Sequence, residues 1–484
     1  MGRLVVGVDS STQSTKVEAR DLETGAVIAT GSARHPATTP PVSEQDPRAW
    51  WSALVDAFTQ LGEHRRHVVA VSVAGQQHGL VLLDAAGDPV RPAKLWNDTT
   101  SAPQAELLVA AFGRDRWAEA TGSVPVAAFT ITKLRWINDH EPDLLDRVAK
   151  AMLPHDYLTW RLCGEHVTDR GDASGTGWFD PVNGNYLPLI LAQAVSDGMD
   201  WPDQRLPRVL GPTEIAGIVN AGVASELGLS AGVIVGPGTG DNRGAALGLG
   251  LRSGDVAISL GTSGTVFAVS DTPTSDITGA VAGFASASGN YLPLVCTLNA
   301  TKVTDRIATW LGTDAAGLAQ LALSAAGDPG TPVLIPYFDG ERTPNRPTAT
   351  GTFTGLTNTT TREQLALAAH DGVLCGLLDG LDALRSVGAS VDGRVFLVGG
   401  GARSTAYRQR CADLSGKSII VPRTDETVAT GAAVQAAAIA SGDPIGAVTE
   451  RWKLGAGETI EPERDASSRR ALYAAATACW IRPS

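Results

Sequence analysis

Positive charge is in short supply in this chain. Its 484 residues hold 39 lysines and arginines against 51 aspartates and glutamates, a formal net charge of −12. Nucleic acids and anionic membrane surfaces are gripped through a basic footprint, so neither is expected as the main partner. Cysteine is equally sparse: five residues, Cys163, Cys296, Cys375, Cys411 and Cys479, scattered and odd in number. With no CxxC pair they frame neither a zinc site nor a disulfide scaffold, and a reduced, cytoplasmic chain is expected. Long apolar runs are missing too, since no stretch approaches the roughly 20 residues of a membrane span. The opening MGRLVVGVDSST offers only about five apolar positions, short of a signal-peptide core. A chain that is neither exported nor embedded is the expectation. Two nucleotide motifs are absent: GxxxxGK[ST] does not occur, and GPGTGD departs from the GxGxxG spacing.

What is present is core material. Hydrophobic residues make up 43% and charged residues 19%, the composition of a globular protein. Single cores stop growing at roughly 250 to 300 residues, so two domains are expected. LVVGVDSSTQSTKVEARDLETG reads as strand, Ser/Thr turn, strand, then a turn at Thr24 and Gly25. DVAISLGTSGTVFAVSD repeats that grammar; aligning Thr12 with Thr262 sets Asp9 opposite Ser259 and Ser10 opposite Leu260. Helical patterns such as DPRAWWSALVDAFTQL and TITKLRWINDHEPDLLDRV alternate with the apolar run VVAVSVAG. REQLALAAHDGVLCGLLDGLDALRSV predicts a long amphipathic helix, and RVFLVGGGARS a strand, a glycine turn and a helix from near Thr405. The alanine-rich TGAAVQAAAIASG reads as a closely packed helix. Both halves are therefore α/β, with the seam near Gly244 to Gly254.

The chemistry concentrates in a few stretches. Two Ser/Thr/Gly turns aim amides and hydroxyls where a phosphate chain would lie. The first adds a carboxylate, Asp9, and a cation, Lys16, so a divalent metal is expected there. GGGARS lets a flat ring or sugar approach the backbone. Gln77 and His78 of GQQHG follow a strand, and Trp96 with Asn97 and Asp98 forms a polar-aromatic cluster suited to a polyol. Asp241 sits among glycines and alanines in GPGTGDNRGAALGLG, where a carboxylate is costly to bury unless something pairs with it or uses its charge. An Asp-Asn turn capping the following helix is the bland alternative.

The stretches GVDSSTQSTK, GQQHGLVLLD, LWNDTT, TKLRWINDHEPDLL, LPHDYLTWRLCGEHVTDRGDASGTGWFD, GTGDNRGAALGLG, SLGTSGT, PYFDGERTP, GTFTGLT and GGGARS together resemble the FGGY carbohydrate kinases, from near the first residue to about Ala433. The resemblance implies the sugar kinase, heat-shock protein and actin ATPase fold: two actin-like (ribonuclease H-like) α/β domains flanking a deep catalytic cleft. It assigns residues 1–244 to the sugar side and 245–484 to the nucleotide side. It also implies transfer of the γ-phosphoryl group of ATP, with Mg²⁺, to the 5-hydroxyl of D-xylulose, or to another ketose or polyol such as ribulose or glycerol; a non-catalytic switch on the same fold is the reading from another class. Carried over position by position, Asp241 matches the base, and Gln77, His78 and Asn242 match sugar contacts beside Trp96. Asp9 matches the carboxylate near the metal. Thr12 and Lys16 fall in the first phosphate turn, Gly261, Thr262 and Ser263 in the second, and Gly400, Gly401 and Ala402 in the adenosine motif. The partners implied are a small sugar and ATP, with no nucleic acid or membrane and with a homodimer among the assemblies allowed. Ser11 and Ser14 stand where relatives often have glycine, and Gln77 replaces a common methionine, a change expected to bear on sugar preference.

Overall fold

The strand Leu4–Ser10, LVVGVDS, is buried along its whole length, which is why it reads as a continuous apolar run rather than an alternating one. It is central to a sheet in the computed structural model, which describes residues 2–424 and 426–479. Leu4–Ser10 pairs antiparallel with Ser14–Asp21, and that strand with Val27–Arg34, giving the hairpin and second turn expected from sequence. On its other side it runs parallel to Val68–Gly75. Ile234–Val235 and Thr239–Gly240 both join the far edge of Val68–Gly75 in parallel.

The second sheet repeats this plan. Val256–Leu260 pairs antiparallel with Gly264–Ala268 and parallel with Val395–Val398, and Ile419–Pro422 and Gly457–Ile460 extend it. In both sheets three residues join the hairpin strands, 11–13 in one and 261–263 in the other. Each turn closes with a backbone bond from its first residue, Ser11 N to Ser14 O in one and, one residue shorter, Gly261 N to Ser263 O in the other, both 3.0 Å.

The chain forms two compact units that are interleaved in sequence. One comprises Met1–Leu251, Pro273–Leu292 and Glu426–Leu454; the other comprises Arg252–Thr272, Pro293–Asp425 and Gly455–Ser484. The expected seam between 244 and 245 falls inside the helix Asp241–Gly248. The late return to the first unit has a packing reason, because the alanine-rich helix Thr427–Ser441 covers one face of the first sheet. Val5 and Ala70 pack against Ala433, Val434 and Ala437. The opposite face, with Val6, Val8 and Val71, packs on Trp50, Leu54 and Phe58 of the helix Pro47–Thr59.

In the second unit the expected long helix is Arg362–Ser386. Thr361 and Gln364 close a capping box at its start, satisfying two backbone donors that a helix end otherwise leaves open. TITKLRWINDHEPDLLDRV divides into the helix Thr130–His140 and a 3₁₀ turn, Pro142–Arg147, because Pro142 cannot continue the helix.

The contact of Asp241–Gly248 with Thr427–Ser441 is backbone against backbone. A Cβ on Gly431 would lie 1.8 Å from Gly244 O, and one on Gly248 would lie 1.9 Å from Thr427 O. Gly7 meets the same helix, a Cβ there falling 1.9 Å from Ala429 O. Gly431→Ala is therefore expected to lower stability to urea by about 1–3 kcal/mol, the usual cost of overpacking; an unchanged midpoint and slope would show that the helices have room to part.

Candidate active site

Parallel pairing decides where the chemistry gathers. Gly75 lies beside Ser10 on one side and Gly240 on the other, so three strands finish at one edge of the first sheet, where ligands of open α/β sheets bind. Asp9, Gln77 and Asp241 each lie within two residues of that line. Asp241 is the first residue of its helix, where the helix dipole favours a negative charge.

The two oxygens of Asp241 are not equivalent. Oδ1 accepts from Asn242 N at 2.7 Å and from Asn242 Nδ2 at 3.0 Å. Oδ2 has no hydrogen-bond partner among the described residues. Desolvation pushes this carboxyl up to about 6, against the opposing pull of the Asn242 bonds and Arg243. Asp9 is buried and raised further, to about 7, first by desolvation and then by the negative charge of Asp241. The effect of one carboxylate on the other places them near one another, and Asp9 Oδ1 is buried with no hydrogen-bond partner.

Among the described residues no group of three or more His, Cys, Asp or Glu frames a metal ion. Mg²⁺, however, needs only one or two carboxylates when phosphates and water supply its other ligands. Asp9, with its unmatched oxygen, fits that requirement.

Gln77 and Asn242 lie beside Asp241. Gln77 Oε1 accepts from Arg243 Nη1 at 2.6 Å and faces Asn242 Nδ2 at 3.5 Å. His78 adopts a left-handed backbone, φ 65°, uncommon outside glycine and frequent at functional sites. Its Nδ1 lies 2.8 Å from Gly175 O, and its ring stacks on Phe129 with centroids 5.1 Å apart.

Other residues are placed differently from the sequence reading. Lys16 lies on the strand Ser14–Asp21 rather than in the turn, opposite Asp9, and its Nζ bonds both oxygens of Glu426 at 2.8 Å. The first turn's hydroxyls are largely spent: Ser11 Oγ donates to Ser14 O, while Thr12 Oγ1 bonds Gln76 Oε1 and accepts from Trp96 Nε1 at 2.9 Å. Trp96 is thus half-exposed and tied to that turn. Asp98 is fully buried and bonded to Ser43, Thr100 and Lys94, a structural anchor rather than a polyol contact.

Sequence reasoning missed the support beneath Asp241. His155 Nε2 lies 3.1, 3.4 and 3.4 Å from carboxylate oxygens of Asp156, Asp169 and Asp172. All four side chains are buried. Burial alone would lower the His155 pKa, but Asp156, Asp169 and Asp172 reverse this and raise it to about 9. Arg243, also buried, adds a second cation 3.4 Å from Asp172. Its Nε donates to Ala285 O, and its guanidinium lies 4.8 Å from the Phe284 ring centre. The cluster grips the start of the Asp241 helix from both sides. Thr239 Oγ1 donates to Asp169 Oδ2 at 3.0 Å, two residues before Asp241, and Arg243 follows two residues after. Gly240 between them has no room for a side chain, since a Cβ would lie 2.8 Å from Arg243, Asp172 and Gln77.

In the second unit, Leu260, Gly261 and Thr262 of the turn and Gly400 and Gly401 line a cavity of about 760 Å³. Gly399 takes φ 87°, and a Cβ there would lie 2.7 Å from Leu260 O, so the glycine run lies flat on the hairpin strand. At Gly400 nothing comes within 4 Å of an added Cβ, which leaves one face open. Ala402 is buried in the 3₁₀ turn Gly400–Arg403. Thr262 and Ser263 are exposed, and neither hydroxyl has a hydrogen-bond partner among the described residues. Ala315, Ala316 and Ala319 supply an apolar wall, and His370 and Tyr407, with rings 4.6 Å apart, also line the cavity.

Two models of known families match the sequence. Residues 4–248 match the N-terminal domain, and residues 256–440 the C-terminal domain, of the FGGY family of carbohydrate kinases. The chain belongs to that family. A xylulose kinase of Streptomyces coelicolor is 50% identical over 467 residues, 96% of this chain and 94% of that one. The xylulose kinase of Escherichia coli is 36% identical over 424 residues, 86% of each chain. Among solved structures, a xylulose kinase from Bifidobacterium adolescentis superposes with a TM-score of 0.87 at 41% identity, covering 98% of this chain and 99% of that one. The glycerol kinase of Plasmodium falciparum, solved with ADP, gives 0.88 at 18% identity over 100% and 99% of the two chains; at that distance the likeness concerns the fold alone. The FGGY fold expected from the sequence is thereby established.

The buried cluster carries a stability prediction. Because the folded pKa of His155 exceeds its ordinary 6.5, its contribution is fully present below about pH 6.5 and is lost as pH rises through about 9. His155→Gln leaves the carboxylates without their imidazolium and is expected to cost about 3–5 kcal/mol in urea unfolding at pH 7. A loss below 1 kcal/mol would mean that the cluster is solvated or uncharged.

Proposed function

We propose that this FGGY kinase transfers the γ-phosphoryl group of ATP to the 5-hydroxyl of D-xylulose, with Asp241 as the base. The observation that carries the assignment is the asymmetry of Asp241, one oxygen satisfied by Asn242 and the other unbonded on a carboxyl raised to about 6. The choice of sugar is supported by relatives named as xylulose kinases at up to 50% identity across nearly the whole chain.

Phosphoryl transfer passes through a loose transition state that asks the protein for positioning and charge stabilisation. Asp241 Oδ2 orients the sugar hydroxyl and takes its proton as the new O–P bond forms and the bond from Pγ to the β,γ-bridging oxygen breaks, releasing ADP. Asn242, Gln77 and His78 hold the sugar, with Trp96 against it. The glycine turn Gly400–Ala402 receives the adenosine, and the hydroxyls and amides of Gly261, Thr262 and Ser263 the phosphates; Thr12 and Lys16 contribute from the first hairpin. Asp9 would hold Mg²⁺, which when bound would neutralise charge on the phosphates. Scattered cysteines and a strongly acidic composition fit a cytoplasmic enzyme with small-molecule partners. No helix among the described residues is long and apolar enough to cross a membrane.

ADP release with D-xylulose, D-ribulose and glycerol tests the substrate: D-xylulose is expected to give the highest kcat/KM, and a better value for either rival replaces the sugar while leaving the kinase. Asp241→Asn is expected to lower kcat by about 10²–10⁴-fold with KM for ATP unchanged. Because the base must be ionised, kcat/KM for the sugar is expected to fall about tenfold per pH unit below about 6, and retained turnover in Asp241→Asn would refute the assignment.

A further inference from the structure

An amide side chain has a donor end and an acceptor end, and which end faces a ligand is fixed by what holds the other. For Gln77 the network leaves no choice. Arginine only donates, so the group 2.6 Å from Arg243 Nη1 must be the Gln77 carbonyl oxygen. Asn242 Nδ2, turned toward the carboxylate of Asp241, presents a second donor to the same oxygen at 3.5 Å. Arg243 cannot rotate away: its Nε is bonded to Ala285 O, Nη2 to Ser174 Oγ, and its charge faces Asp172. The Gln77 Nε2 amide consequently points away from this cluster. It has no partner among the described residues.

The substrate chemistry asks for such a donor. In a 2-ketopentose the five-membered ring closes through O5, so O5 is free to accept a phosphoryl group only in the open chain. That form carries a bare carbonyl at C2, which accepts hydrogen bonds and donates none. We propose that Gln77, a positioning and specificity residue locked in orientation by Arg243, donates its Nε2 hydrogen to the C2 carbonyl oxygen of the open-chain sugar. The inference rests on the ketopentose reading above. It assigns the sugar-facing amide a polarity that methionine at this position would lack.

Gln77→Glu separates the roles, because a carboxylate still accepts from Arg243 but offers the sugar no donor. The measurement is KM for D-xylulose beside Ki for the pentitols made by reducing C2, whose hydroxyl is able to donate to a carboxylate. In Gln77→Glu, KM is expected to rise about tenfold or more and Ki to rise less, so the ratio Ki/KM falls. Melting temperature and KM for ATP stay at wild-type values. Gln77→Met, which removes the donor without adding charge, is expected to raise KM for D-xylulose as well. An unchanged KM in both variants, or equal rises in KM and Ki, overturns the proposal while the ketopentose reading stands. A wild-type enzyme inactive on D-xylulose removes that reading, and the carbonyl contact with it.

Discussion

Compensation of buried charge around one strand-to-helix junction governs the first unit. Asp172 and Asp169 would be untenable in the interior alone, and His155 and Arg243 balance them. Breaking a buried pair costs far more than a well-packed apolar alternative would, so this arrangement is not an economical way to gain stability. It makes sense as a device for holding Thr239, Gly240 and Arg243 in place, and with them the carboxylate between. Glycines on two helices and a strand complete the device by letting backbone rest on backbone.

Duplication gives the two units a common frame, yet their hairpin turns differ in what they offer. In the first, hydroxyls are absorbed into bonds with Ser14, Gln76 and Trp96; in the second, Thr262 and Ser263 remain uncommitted. The carboxylates gather on the first unit and the open glycine face lies on the second. The division of labour proposed here, sugar chemistry on the first unit and nucleotide holding on the second, rests on these local differences rather than on the fold, which both units share.

Much of this was legible in the sequence because it is local. Strand–turn–strand grammar, the long helix from Arg362 and the strand entering GGGARS each occupy a single continuous stretch, and the structure realises all three. Asp241 stood out because a carboxylate among glycine and alanine needs a reason. The supporting cluster was not legible: His155, Asp169, Asp172 and Arg243 come from separate segments and meet only through the packing of strands and helices. Arg243 was the available clue, a single cation two residues beyond the acid. The surroundings of Lys16 were not legible either: strand register sets it opposite Asp9, and Glu426, which its Nζ bonds, comes from a distant segment.

The central claim is that desolvation holds the half-buried Asp241 carboxyl at about 6 with one oxygen unbonded. A ¹³C NMR titration of aspartate carboxyls, assigned by the resonance lost in Asp241→Asn, reads this without turnover. An inflection near pH 6 is the predicted result; one at the ordinary aspartate value of 3.8 would contradict it.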